Sequence, residues 1–215
     1  MLARLVVLST LLTSSSRAEV IDRIAVTLDN QIITESEVAR EIRLSALLNG
    51  APLDFSPDAR RKAAGRLVEQ KLIRREIELG RYLAPGKDEV AAMLLQIQSQ
   101  RFQSPEDYRQ ALQKYGVSES DLNAHLLWQL SLLRFIDARF RPGVQVSDEE
   151  VRAYFDKEQS KGEDAADPGK QQRFEDVRDQ ISETLINQLV DQQLDAWLAA
   201  ARKRTRIVFH QEAFQ

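Results

Sequence analysis

The chain has 215 residues, no cysteine and a formal net charge of −3. That length suits one domain with at most a small subdomain, and the missing cysteines exclude disulfides, a cysteine-linked lipid anchor and thiolate metal sites. The acidic balance, with no basic stripe interleaved with aromatics, argues against nucleic-acid binding, and 29% charged residues beside 43% hydrophobic ones suit a helical protein with long solvated faces.

In chain order, residues 1–18 have the layout of a secretory signal peptide. Arg4 precedes an apolar run from Leu5 to Leu12, and the small residues Ser16 and Ala18 sit where a cleavage site before Glu19 needs them. The run is shorter than the about 20 residues a membrane span requires. No later stretch is longer, so no stable membrane span is expected after cleavage.

The segment from Val20 to Val38 carries three signals. Ile24, Val26 and Leu28 alternate with shorter or polar neighbours, which predicts a half-buried strand. Asp29, Asn30 and Gln31 form a turn, because Asp and Asn tolerate left-handed backbone angles. Gln31, Ile32 and Ile33 return as a second strand, and Thr34 with Glu37 forms a capping box that opens a helix.

Helical spacing follows. Val38, Ile42, Ala46 and Leu47 share one face, ended by Asn49 and Gly50. Ser56 and Pro57 open a second helix with the stripe Ala64, Leu67, Val68, Leu72, Ile73 and Ile77. After Gly80 and the Pro85–Gly86 break, a third helix carries Val90, Met93, Leu94 and Ile97. Ser104 starts a fourth with Tyr108, Leu112 and Tyr115, stopped by Gly116. Ser118 with Asp121 starts a long fifth, whose predicted stripe is Leu122, Leu126, Leu130, Leu133, Ile136 and Phe140. Arg141, Pro142 and Gly143 end it, and Ser147 caps a brief sixth helix with Val151, Tyr154 and Phe155.

From Asp156 to Lys170 the chain is charged, contains Gly162, Pro168 and Gly169, and lacks large apolar residues. It reads as a solvated linker. From Gln171 to Lys203 a last helix of roughly 50 Å is predicted. Its stripe runs through Val177, Ile181, Leu185, Leu189 and Leu194 and widens at Ile186, Val190, Trp197, Leu198 and Ala201. Residues 206–209 read as a strand. A lone strand is unstable, so pairing with the N-terminal hairpin is expected.

These features together resemble SurA-type periplasmic chaperones, including the PpiD and PrsA groups. The Val20–Val38 run, the Ser-Pro-Glu-Asp start at Ser104, the Val146–Val151 segment and the closing helix and strand carry the resemblance, which spans nearly the whole chain after residue 18. In that family the Val146–Val151 segment leads into a parvulin prolyl isomerase domain. Here only Asp156 to Lys170 stands in that place, and a domain needs at least about 50 residues. A smaller departure is the hairpin turn, which lacks the glycine often found there.

The expected fold is therefore mainly α. A helical body over 19–155 and a charged linker over 156–170 lead to a C-terminal unit over 171–215. Its long helix and strand pack back on the body, with a small sheet from the N-terminal hairpin and the C-terminal strand. No catalytic, metal or cofactor constellation stands out: His125 and His210 lack a partner motif, and no phosphate loop or nucleophile elbow occurs. Met93, Ile97, Phe102, Tyr108 and Tyr115 are the candidate client-binding residues, since Met adapts to varied shapes and aromatics give large contact area; core packing is the alternative for each.

The resemblance implies a periplasmic holding chaperone for unfolded or nascent envelope proteins, notably outer-membrane β-barrels. The expected mechanism is transient capture of aromatic-rich extended segments in a groove between the helical body and the terminal helix. The chaperone would act without isomerase catalysis or nucleic acid, as a monomer or weak dimer. A dedicated structural subunit of an envelope complex, or a residual prolyl isomerase, are the rivals.

Overall fold

The turn that joins the first two strands is fastened by the far end of the chain. The computed structural model describes residues 22–161 and 173–215; the expected signal segment and residues 162–170 of the expected linker lie outside them. Strand β1 (Ile24–Leu28) and strand β2 (Gln31–Thr34) form an antiparallel hairpin closed at Leu28 and Gln31. Asp29 adopts φ 48° in the turn, a left-handed angle that glycine takes at no cost. Aspartate adds there a side-chain acceptor that glycine lacks. Its backbone N–H donates to Arg206 O, and its Oδ1 accepts from the Arg206 N–H, each at 3.0 Å.

Strand β3 (Ile207–Phe209) then pairs antiparallel with β1, giving the order β2-β1-β3. Val26 lies opposite Phe209, Thr27 opposite Val208 and Leu28 opposite Ile207. The two ends of the described chain therefore meet, as the instability of a lone strand requires. One detail departs from simple alternation. The register shifts between Ile24 and Val26, so Ala25 and Val26 are both fully buried while Ile24 turns outward at 41% exposure. An extra residue in one strand re-aims its neighbours in this way.

The helices begin where their caps predict. In α1 (Glu35–Asn49) the Thr34 N–H donates to Glu37 Oε2 at 2.9 Å, and the Glu37 N–H donates to Thr34 Oγ1 at 3.3 Å. Ser56 and Pro57 open α2 (Pro57–Gly80), Glu89 reaches back to the Gly86 N–H at the start of α3 (Lys87–Arg101), and Ser104 caps α4 (Pro105–Tyr115). Ser118 and Asp121 complete a capping box for α5 (Glu119–Arg139). Gly50 and Gly116 close α1 and α4 at φ 63° and 62°.

Among the described residues three apolar clusters hold these elements together. The first packs Val26 and Ile33 of the sheet against Val38 of α1, Val68 of α2, Ala201 and the tail residue Phe214. The second joins Leu47 of α1 to Leu94 of α3, Leu112 of α4 and Leu126 of α5. The third joins Ile73 of α2, Trp128 and Phe135 of α5, and Val190 and Leu198 of the last helix. Helix α5 thus serves two clusters on two faces. The single stripe expected for it is corrected accordingly: Leu133 is 55% exposed, while Trp128 and Phe135, outside that stripe, are buried.

Helix α6 spans Asp148–Lys161, so residues 156–161 of the expected linker are helical. They contain no Gly or Pro before Gly162, and nothing in them opposes helix propagation. Helix α7 spans Phe174–Arg204, about 46 Å at 1.5 Å per residue. Its C-terminal half lies on the body through Val190, Leu198 and Ala201. Its N-terminal half pairs with α6, where the Phe155 and Phe174 rings meet edge-on at 5.4 Å and the Arg152 guanidinium stands 4.2 Å above Phe174.

Candidate functional site

The five residues expected to contact clients come together, but around the second cluster. Tyr108 is only 6% exposed and belongs to that cluster's buried centre. Its ring meets Phe102 edge-on at 5.4 Å. Its hydroxyl is buried beside Gln98 without a well-formed hydrogen bond, and burial pushes its pKa above the ordinary phenol value. Tyr115 is half-buried and donates its hydroxyl to Ala51 O at 3.0 Å. Met93, Ile97 and Phe102 pack half-buried against the same cluster. Together these side chains pack α3 and α4 against α1 and α5, and Tyr108 has little surface left to offer another molecule.

A different concavity lies between the helical body and the terminal helix. Two adjoining hollows, about 200 and 320 Å3, share Asp29, Leu72, Arg75 and Thr205. One continues along the hairpin past Gln31 and Lys71. The other continues between α2 and α7 past Leu79, Trp197 and Arg204. The sequence explains why the groove exists. Helix α2 runs to Gly80 and carries Leu79 on its last turn at 72% exposure. Helix α7 crosses it with Trp197 half-buried between the first and third clusters. The Asp29 turn, pinned to Arg206, closes one end.

The floor of this groove is apolar and its rim charged. Arg75 Nη1 stands 3.5 Å from Asp29 Oδ2, and Lys71 Nζ stands 3.6 Å from Glu37 Oε1. Glu76, also on the rim, pairs with Arg139 at 3.4 Å. Arg204 forms no ion pair among the described residues. Exposed pairs of this kind add little stability.

A third hollow, about 500 Å3, opens beside Asp22, Phe55 and Arg60. Its polar groups are already engaged with one another. Arg60 donates to Phe55 O at 2.9 Å, and the Asp22 carboxylate accepts from the Ser36 hydroxyl and N–H, which holds it below the usual aspartate range.

The two histidines lie apart. His125 on α5 is half-buried, and desolvation pushes its imidazole below the ordinary value; Glu41 opposes that shift and Arg66 adds to it. His210 Nε2 lies 2.9 Å from Thr27 Oγ1, with Glu212 at 3.8 Å from Nδ1. Among the described residues, no three His, Asp or Glu side chains gather as a metal site requires. No helix among them is long and apolar enough to cross a membrane.

Sequence reasoning placed Trp197 in the apolar stripe of α7 but gave no role to Leu79, Arg75 or Arg204. The available signal was Leu79 itself, an apolar residue two positions beyond Ile77 and off the α2 stripe.

No family model matches the chain. Over 173 residues, 78% of this chain, it is 27% identical to the chaperone SurA of Pseudomonas aeruginosa. The matched stretch is 39% of that protein's length, so the chain spans about two fifths of the curated relative it matches. With the helical body, the long closing helix and the sheet that joins the two ends, this similarity places the chain in a distant relationship to SurA.

Proposed function

We propose that this chain is an exported, non-enzymatic holding chaperone. Its clients are unfolded envelope proteins, outer-membrane β-barrels among them, and its compartment is the periplasm. The distant similarity to SurA supports the chaperone role. The observation that carries the mechanism is the groove between α2 and α7, where Leu79 stands 72% exposed beside the half-buried Trp197.

An extended client segment lays apolar side chains on Leu72, Leu79 and Trp197. Its flanking polar groups meet the charged rim. Removing Leu79 from water is worth about 2 kcal/mol, and one such contact cannot hold a protein tightly. Several such contacts together reach the about 8 kcal/mol of micromolar binding, weak enough to release clients without an energy source. Only residues 162–173 lie between α6 and α7, fewer than the about 50 a domain needs, which supports holding without an isomerase domain at that place.

The test is aggregation of a urea-unfolded porin diluted into buffer, followed by light scattering. Suppression at a few-fold molar excess of the chain supports the reading. Unchanged scattering at that excess refutes it.

A further inference from the structure

The balance of charge around the α2–α7 groove is uneven, and the excess is positive. Lys71, Arg75 and Arg204 line it as cations, Asp29 and Glu76 as anions. Both anions are occupied. Asp29 accepts the Arg206 N–H on Oδ1, and Glu76 is paired to Arg139 outside the groove. Lys71 is paired to Glu37, also outside. Two guanidinium groups remain. Arg75 makes one long contact with Asp29 at 3.5 Å, with its side chain 59% exposed. Arg204, the last residue of α7, is unpaired among the described residues.

Basic residues in a last helical turn complement the helix dipole, and Arg202, Lys203 and Arg204 all meet that need. The dipole does not explain why Arg204 lines a hollow with Trp197 while Arg202 turns away to Glu69 at 2.6 Å. A guanidinium presents several N–H donors in a fixed plane that matches a carboxylate. Two of them beside an apolar floor form a complementary seat for a carboxylate attached to an apolar chain.

We propose that this groove selects extended polypeptide segments that carry a carboxylate. Arg75 and Arg204 receive the carboxylate, and the adjoining apolar side chain rests on Leu79 and Trp197. The carboxylate comes from a chain terminus or from an acidic side chain. The inference rests on the holding function and deepens it by naming the segment that is held.

The test uses one apolar extended peptide, fluorescently labelled at its N-terminus, in three forms: free C-terminus, amidated C-terminus, and amidated with one internal Glu. Anisotropy titration against the full chain at low ionic strength gives the affinities. At least one carboxylate form should bind about fivefold or more tighter than the neutral form. Preference for the free terminus alone identifies the terminus as the source, and equal preference for the Glu form admits side chains.

In the double variant Arg75→Gln/Arg204→Gln the carboxylate forms should bind no tighter than the neutral form, with the far-UV circular dichroism unchanged. The double variant Arg202→Gln/Lys203→Gln, which removes two positive charges from the same helical turn outside the groove, should retain the preference. Equal binding of all three forms, no binding of any, or a preference that survives in Arg75→Gln/Arg204→Gln overturns the inference. Should porin aggregation still be suppressed in that case, the holding function stands and only the carboxylate selectivity falls.

Discussion

Thr27 Oγ1 and His210 Nε2 lie 2.9 Å apart across 183 residues of chain. Around this contact β1 and β3 pair, and the tail continues past His210 to bury Ala213 and Phe214 at 2% exposure each. The final residues are thus part of the first cluster, with the Arg61 guanidinium 5.5 Å from the Phe214 ring centroid.

Phe214→Ala should therefore cost about 3–5 kcal/mol, as for other buried aromatics cut to alanine. Urea unfolding of the full chain measures it. A loss below about 1 kcal/mol would mean that the tail is an ornament on a core complete without it.

Local chemistry explains why so much of this architecture was legible in the sequence. Thr34 with Glu37, Ser56 with Pro57, Ser104 before its Pro-Glu-Asp, and Ser118 with Asp121 each satisfy orphan backbone groups within four residues. A helix start of that kind needs no tertiary knowledge. The strand pairing was legible by exclusion, because 206–209 had no other partner than the N-terminal hairpin. The rest depends on what packs against what. Periodicity cannot show that α5 faces two clusters, so Trp128 and Phe135 escaped the predicted stripe. Nor can it show that Met93, Ile97, Phe102, Tyr108 and Tyr115 gather around a core, or that Leu79, Trp197 and Arg204 border a groove built from helices more than a hundred residues apart.

Arg81 closes α2 at φ 52°, a left-handed angle carried by a residue with a Cβ. Its side chain is exposed and forms no ion pair among the described residues. Arg81→Gly should raise stability by about 0.5–1 kcal/mol, because glycine enters that region without steric cost while the unfolded chain gains only part of that freedom back. A shift of the thermal midpoint upward is the expected reading; a downward shift would show that the Arg81 side chain holds something after all.

Acid should weaken the fold in two separate windows. His125 has a folded-state pKa below its ordinary 6.5, mainly through burial, with the Glu41–Arg66 pair at 2.8 Å beside it. The unfolded state therefore binds the proton more readily. Stability is full above about pH 6.5 and declines as the pH falls through the lowered folded value. The cap carboxylates of Asp121 and Glu150 are held low chiefly by Ser118 and Ser147, and act only at lower pH, below the ordinary 3.8 and 4.5. Thermal midpoints recorded from about pH 7 to pH 5 should fall for the natural chain and stay level for His125→Gln. Parallel curves would remove His125 from the account.

Helix α6 and the first half of α7 form a pair with little core of its own. Among the described residues Val151 and Ile181 are its buried ones, at 2% and 9% exposure, and α6 makes its main contacts with α7. Regions with few buried apolar contacts open before the body does. Amide hydrogen exchange should therefore run faster in α6 and in residues 174–185 than in α5 or in the second half of α7. Uniform protection along α7 would show that the pair is as firmly set as the body.

The groove makes a demand that stability measurements cannot meet, because the residue it depends on supports nothing. Leu79 is 72% exposed at the end of α2. Leu79→Gln should shift unfolding by no more than about 0.5 kcal/mol, and a client that rests on this side chain should lose affinity by the hydrophobic contribution of one leucine. Leu133 provides the comparison: it is 55% exposed on α5 and does not line the groove. Leu133→Gln removes a similar apolar surface from the same protein. Porin aggregation should therefore be suppressed by Leu133→Gln as by the natural chain, and several-fold less well by Leu79→Gln. Equal suppression by both variants would move the holding surface away from the α2–α7 groove, whatever the groove's shape.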